Sequence, residues 1–152
     1  MRTVIQRVSH AGVDIPATGY SAAIGRGLLV LCAFEEGDGA SDIEWMAGKI
    51  ARLRIFDDQD GVMNLSVTDT GGEIMVISQF TLYAKTARGN RPSYIRAAKP
   101  DTAIPLYEQF CTVVSNAAGR PVATGVFGAD MKVSLLNDGP VTIIIDSKQG
   151  DI

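Results

Sequence analysis

Apolar positions along the chain fall into short strand-like runs separated by two longer stretches with helical spacing. Residues 3–8 (TVIQRV) and 13–15 (VDI) predict opening strands, and residues 28–34 (LLVLCAF) form a continuous apolar run suited to a strand buried on both faces. Ser41, with Glu44 three residues on, predicts a capping box opening a helix whose apolar face is Ile43, Met46, Ala47, Ile50 and Leu53. That face covers a sheet. Residues 74–80 (IMVISQF), 132–136 (KVSLL) and the β-branched 141–145 (VTIII) predict further strands. The last two are separated by Asn137-Asp138-Gly139-Pro140, which has the composition of a turn. A second helix fits residues 102–117, with Ala103, Leu106, Tyr107, Phe110, Val113, Val114 and Ala117 on one stripe, Pro105 in its first turn and Gly119 capping its end. Two helices against many strands, without repeats or a low-complexity linker, predict one α/β domain over residues 1–152 with a mixed sheet.

Composition narrows the chemistry. A chain of 152 residues with 46% hydrophobic content forms a proper core without disulfide or metal support. Cys32 and Cys111 are widely separated and no leader-like segment opens the chain, so a reducing, cytoplasmic compartment is expected. No stretch approaches the roughly 18 apolar residues of a membrane span. His10 is the only histidine, which leaves a two-histidine metal site without ligands, and no metal or cofactor is expected. Neither GxGxxG nor GxxxxGK[ST] occurs.

Charge is uneven. The net value is −3, yet residues 84–99 hold Lys85, Arg88, Arg91, Arg96 and Lys99 without one acid, a segment of +5 against −8 elsewhere. Such a run is either a solvated loop or a local seat for a polyanion. Ser78-Gln79-Phe80-Thr81-Leu82 brings two hydroxyls and an amide to a strand end, where they bond neighbouring backbone or face a cleft. A Ser or Thr nucleophile there needs an activating base and an oxyanion site; main-chain N–H groups supply the second, but no base stands nearby in sequence. Phe127 and Met131 suit either the core or an apolar shelf for a stacked base.

The pair Ser78-Gln79-Phe80-Thr81-Leu82 and Asn137-Asp138-Gly139-Pro140-Val141-Thr142 resembles the signature segments of the D-aminoacyl-tRNA deacylases. Ile5-Gln6-Arg7-Val8, Arg91-Pro92-Ser93 and Gly128-Ala129-Asp130-Met131 follow in family order, so the likeness spans nearly the whole chain. The resemblance implies barrel-like sheet layers flanked by two main helices, and a homodimer that hydrolyses the ester of D-aminoacyl-tRNA. It further implies a cis bond at Gly139-Pro140, in a loop inserted across the dimer so that main-chain carbonyls exclude an L side chain. Arg7 then holds that loop. Ser78, Gln79, Phe80 and Thr81 form the catalytic segment, with main-chain amides as oxyanion donors and Thr81 positioning the substrate; a covalent Thr81 is the competing mechanism. Phe127 and Met131 become the adenosine pocket, while Lys85, Arg88, Arg91 and Arg96 contact tRNA. Glycyl-tRNA mischarged on tRNA(Ala), with hydrogen on both sides of its α-carbon, is an expected second substrate. A Thr-dependent hydrolase of small esters or amides and a non-catalytic dimeric binding module are the alternatives.

Overall fold

The most apolar run of the chain becomes its central strand. In a computed structural model that describes residues 1–152, β3 (Gly27–Ala33) lies between β1 (Arg2–Ile15) and β6 (Glu73–Ser78), and six of its seven residues are buried. The sheet runs β2 (Tyr20–Ile24), β1, β3, β6, β7 (Ala123–Thr124), with β8 (Lys132–Asp146) also pairing β1. Pairings of β3 with β6 and β6 with β7 are parallel and the others antiparallel, so the sheet is mixed. A small hairpin of β4 (Phe56–Asp57) and β5 (Met63–Leu65) stands apart.

Continuous apolar strands are explained by two cores, one on each face of the sheet. Leu28, Val30, Cys32, Ile74 and Val76 meet helices α1 (Ala40–Arg52) and α2 (Pro100–Ala118). Leu29, Met75 and Ile77 point the other way and meet Val8, Ala11 and Val13 inside the curl of the sheet. The Tyr20 hydroxyl donates to the Thr124 carbonyl at 2.7 Å and ties β2 to β7, giving the sheet its barrel-like form. Each such buried aliphatic side chain stabilises the fold by about 1.5–3 kcal/mol.

Several expected boundaries move. The segments 3–8 and 13–15 are one 14-residue strand, because the ladder to β8 continues through a bulge: Val8 faces Asn137 and His10 faces Leu136. The extra residue, Ser9, inverts the alternation, so Ile5 faces the helices whereas Ala11 and Val13 face the barrel interior. Residues 137–140 are no turn between strands; β8 runs through them as a single 15-residue strand. The predicted strand 74–80 stops at Ser78, where the chain enters one 3₁₀ turn, Phe80–Tyr83. Helix α1 is capped at Gly39, not Ser41: the Asp42 carboxylate accepts the Gly39 N–H at 3.0 Å, the role expected of Glu44. Bonds from Ser147 and Lys148 hold Asp42 there. Helix α2 starts at Pro100, so Pro105 sits in the second turn rather than the first, and left-handed Gly119 ends the helix as predicted.

Candidate active site

Residues 78–81 occupy the carboxyl end of β6, where parallel pairing with β3 stops. The Gln79 N–H still reaches back to the Cys32 carbonyl at 2.7 Å, and the chain then coils into the 3₁₀ turn. The first amides of a helical turn have no partner within it. Here Leu82 N–H bonds Gln79 and Ala84 N–H bonds Thr81, while the main-chain N–H groups of Phe80 and Thr81 donate to no protein atom. The side-chain amide of Gln79 donates to Thr81 Oγ1. Thr81 is half-buried and its hydroxyl neighbour is therefore an amide rather than a base.

A cavity of about 290 Å³ opens beside this turn, with Ser78, Gln79 and Phe80 on one wall and Phe127, Asp130 and Met131 on the other. Phe127 and Met131 both pack on the core and line the cavity. Phe127 packs on Tyr107, with ring centroids 6.1 Å apart, and Met131 packs on the barrel core, yet both present atoms to the cavity. Gly125 makes room for Met131, since a Cβ there would collide with the thioether sulfur. No sequence signal marked that glycine, because the neighbour it admits is distant in the turn that follows.

The remaining nucleophile and base candidates lie elsewhere. His10 is exposed in a separate groove with Asp14, Ser21 and Ser134. Cys32 sits in the helix-side core, where burial pushes its thiol well above the usual range, and burial likewise raises Cys111 to about 11. Neither supplies a thiolate at neutral pH. No three His, Cys, Asp or Glu side chains cluster as a metal site, and no helix is long and apolar enough to cross a membrane.

The Gly139-Pro140 segment is built differently. Three residues more on β8 than on β1 separate the Gln6–Thr142 pair from the Val8–Asn137 pair, so the chain between them bows out of the ladder. Asn137 Oδ1 accepts the Val141 N–H at 2.9 Å and closes the base of the bow. Gly139 has φ +147°, and a Cβ on it would lie 2.8 Å from both the nitrogen and Cγ2 of Val141. The Gly139-Pro140 peptide is cis, and both residues are exposed. Arg7 is 8% exposed, a buried cation on β1. Its Nε donates to the Asp138 carbonyl at 2.9 Å and its Nη1 to the Ile55 carbonyl at 2.7 Å, with the carboxylates of Asp57 and Asp138 at 3.6 and 3.7 Å. Ile55 is not among the expected site residues, because its part at Arg7 is a main-chain carbonyl.

Within one chain these two signature segments are not brought together. Gly139 and Pro140 are absent from the cavity wall, and β1 and β3 intervene between β8 and β6, three interstrand steps of about 4.8 Å each. The basic segment divides as well. Arg96 is committed, pairing with Glu35 at 3.4 Å and stacking on the Tyr83 ring at 5.1 Å, opposite Arg2 at 4.9 Å. Lys85, Arg88 and Arg91 are exposed on a loop closed by two main-chain bonds between Lys85 and Ser93, at 2.8 and 3.0 Å.

Comparison with known proteins bears on this geometry. The family model described as D-Tyr-tRNA(Tyr) deacylase matches residues 4–146. A relative from Parabacteroides distasonis named D-aminoacyl-tRNA deacylase is 63% identical over 148 residues, covering 97% of this chain and 98% of its own. One of the same name from Flavobacterium johnsoniae is 57% identical over 148 residues, with the same coverage. Among solved structures, the c-Myc DNA unwinding element binding protein superposes with a TM-score of 0.88 at 38% identity, over 96% of this chain and 98% of that one. A probable eukaryotic D-amino acid tRNA deacylase gives 0.80 at 19% identity over 94% and 97%, which speaks to the fold alone.

Proposed function

The chain belongs to the D-Tyr-tRNA(Tyr) deacylase family, and on that premise we propose that it hydrolyses the ester of D-aminoacyl-tRNA to free tRNA and D-amino acid, in the cytoplasm. The observation that carries the reading is the unpartnered N–H of Phe80, a residue of the cavity wall, together with the unpartnered N–H of Thr81 next to it in the chain. They are oxyanion donors for the carbonyl under attack, worth about 10²–10³ in rate apiece. Water adds to the ester carbon, the negative charge settles between the two amides, and the ribose oxygen departs with a proton. The substrate's own neighbouring 2′-hydroxyl assists, which suits a cavity without a histidine or thiolate. Gln79 orients the Thr81 hydroxyl, so Thr81 positions the substrate and carries no acyl group. Phe127 and Met131 hold the terminal adenosine.

Chirality is read by exclusion. A catalyst that accepts many D side chains gains nothing from gripping them, whereas backbone at the α-carbon admits hydrogen and rejects carbon. The carbonyls of Gly139 and Pro140 perform this task, and glycyl-tRNA, with hydrogen at both positions, is a second substrate. Those residues stand clear of the cavity of their own chain, so the loop acts in a second subunit. Its host strand favours that arrangement: β8 pairs only β1, which leaves its other edge free, and it carries exposed Leu136 and Ile144. An unpaired 15-residue edge is a template for association.

A deacylation time course on matched D- and L-tyrosyl-tRNA tests the reading, with D-tyrosine on a simple alkyl ester as the third substrate. The expected result is rapid loss of the D-aminoacyl group from tRNA alone. Equal D and L rates, or preference for the simple ester, would replace it with the small-ester hydrolase.

A further inference from the structure

A cavity of about 290 Å³ is at the small end of ligand pockets, which run from roughly 300 to 1,000 Å³. A cavity of this size takes a terminal nucleoside and not a polynucleotide. The polynucleotide must therefore leave across the rim, and one rim residue differs from the others. Phe80 forms part of the wall, but its ring is 53% exposed and meets Tyr94 edge to face, centroids 5.1 Å apart at 77°. Tyr94 is itself 39% exposed, does not line the cavity, and is followed by Ile95 at 82%. Large apolar side chains left wet in one place mark a binding surface. This one sits on the acid-free +5 segment, beside Lys85, Arg88 and Arg91, which unlike Arg96 have no carboxylate partner.

We infer that the Phe80–Tyr94 pair is a stacking platform for the nucleotide preceding the terminal nucleoside, with Lys85, Arg88 and Arg91 alongside for its phosphates. The inference rests on the deacylase reading above and names a contact outside the reacting site. Aromatic faces beside a basic groove are the general means of holding single-stranded nucleic acid, and such stacking tolerates any base. The Lys85–Ser93 bridge closes the loop that carries the three cations one residue before Tyr94.

The test compares D-tyrosyl-tRNA with D-tyrosyl-adenosine, which lacks the preceding nucleotide, using wild type, Tyr94→Ala and Tyr94→Phe. Tyr94→Ala is expected to raise KM for the tRNA about tenfold with kcat held, to leave the adenosine ester's kinetics unchanged, and to be rescued by Tyr94→Phe. Equal losses on both substrates, no loss on either, or conversion of the protein to a monomer in sedimentation would overturn the platform. Anisotropy titration of uncharged tRNA keeps the two readings separable. If wild type cleaves neither ester, the deacylase reading falls, and the platform then stands on a tenfold weaker Kd for Tyr94→Ala or falls with an unchanged one.

Discussion

The segment 78–81 and the segment 137–140 both end in unusual backbone, yet they are held in opposite ways. The first terminates an interior strand: β6 is paired on both sides, its residues 74–77 are buried, and the turn that follows is pinned by Tyr83 between two guanidinium groups. The second bows out of an edge strand, exposed at Gly139 and Pro140, and hangs on one buried arginine. One borders a cavity of its own chain. The other is a projection outside that cavity. On the reading proposed above, the enclosed part supplies the oxyanion donors and the projecting part the exclusion of L side chains.

Substitutions in the two regions should therefore differ in size, and the largest effect belongs to the projection. Gly139→Ala forces a side chain into φ +147° and against Val141, displacing the bow. A displacement of 1 Å in a positioned group costs about 10²-fold, so D-tyrosyl-tRNA turnover is expected to fall at least that far while the melting temperature stays within a few degrees. Unchanged turnover would remove the loop from the site. Arg7→Ala comes next. Each bond from its guanidinium to a carbonyl is worth about 1.5–3 kcal/mol, so a loss of about 10- to 100-fold in kcat/KM for the D substrate is expected, together with a smaller D-over-L ratio of kcat/KM. Lysine at position 7 should not rescue it, since one ammonium cannot span the Asp138 and Ile55 carbonyls as the fork does.

On the enclosed side, Thr81→Ala removes one hydroxyl bonded to Gln79 and should lower kcat by about 3- to 10-fold, the worth of a single neutral hydrogen bond. Single-turnover kinetics decide the matter, because loss of a covalent nucleophile would cost on the order of 10⁶-fold. The smallest effect is expected from Asp138→Asn. Arg7 grips the Asp138 carbonyl at 2.9 Å, while the half-exposed carboxylate lies at 3.7 Å, so the change should stay within about twofold in kcat/KM. A larger drop would mean that the side chain, not the backbone, sets the bow.

The two helices and the central strand were legible because their apolar spacing reports burial directly: Leu28 to Phe34 reads as interior, and of the predicted stripe Ala103, Tyr107, Phe110 and Val114 are buried and Leu106 and Val113 partly so, whereas Ala117 is exposed and Ala118 packs on the core instead. Boundaries failed where a tertiary partner outweighed a local signal. Ser41 and Glu44 have good capping chemistry, but Asp42 takes the role because Ser147 and Lys148, over 100 residues away, hold its carboxylate. Asn137-Asp138-Gly139-Pro140 has every mark of a reversal, and the strand continues because β1 offers its edge on both sides of the bow. The +5 segment was visible as charge, but not that Arg96 is consumed by Glu35 and Tyr83 while its neighbours stay free.

By itself, then, the sequence determined which segments are buried, which carry hydroxyl, amide and basic groups, and, through its two signature segments, the family. Tertiary structure decided which backbone groups stay unpaired at Phe80 and Thr81, what surrounds Arg7, and that the two signatures stand apart in one chain. The physical reason is that side-chain hydrophobicity is a property of each residue, read locally, whereas an unpaired amide or a gripped carbonyl is common to every residue. Only the paths of β1, β3, β6 and β8 through space select which of them is left free or held.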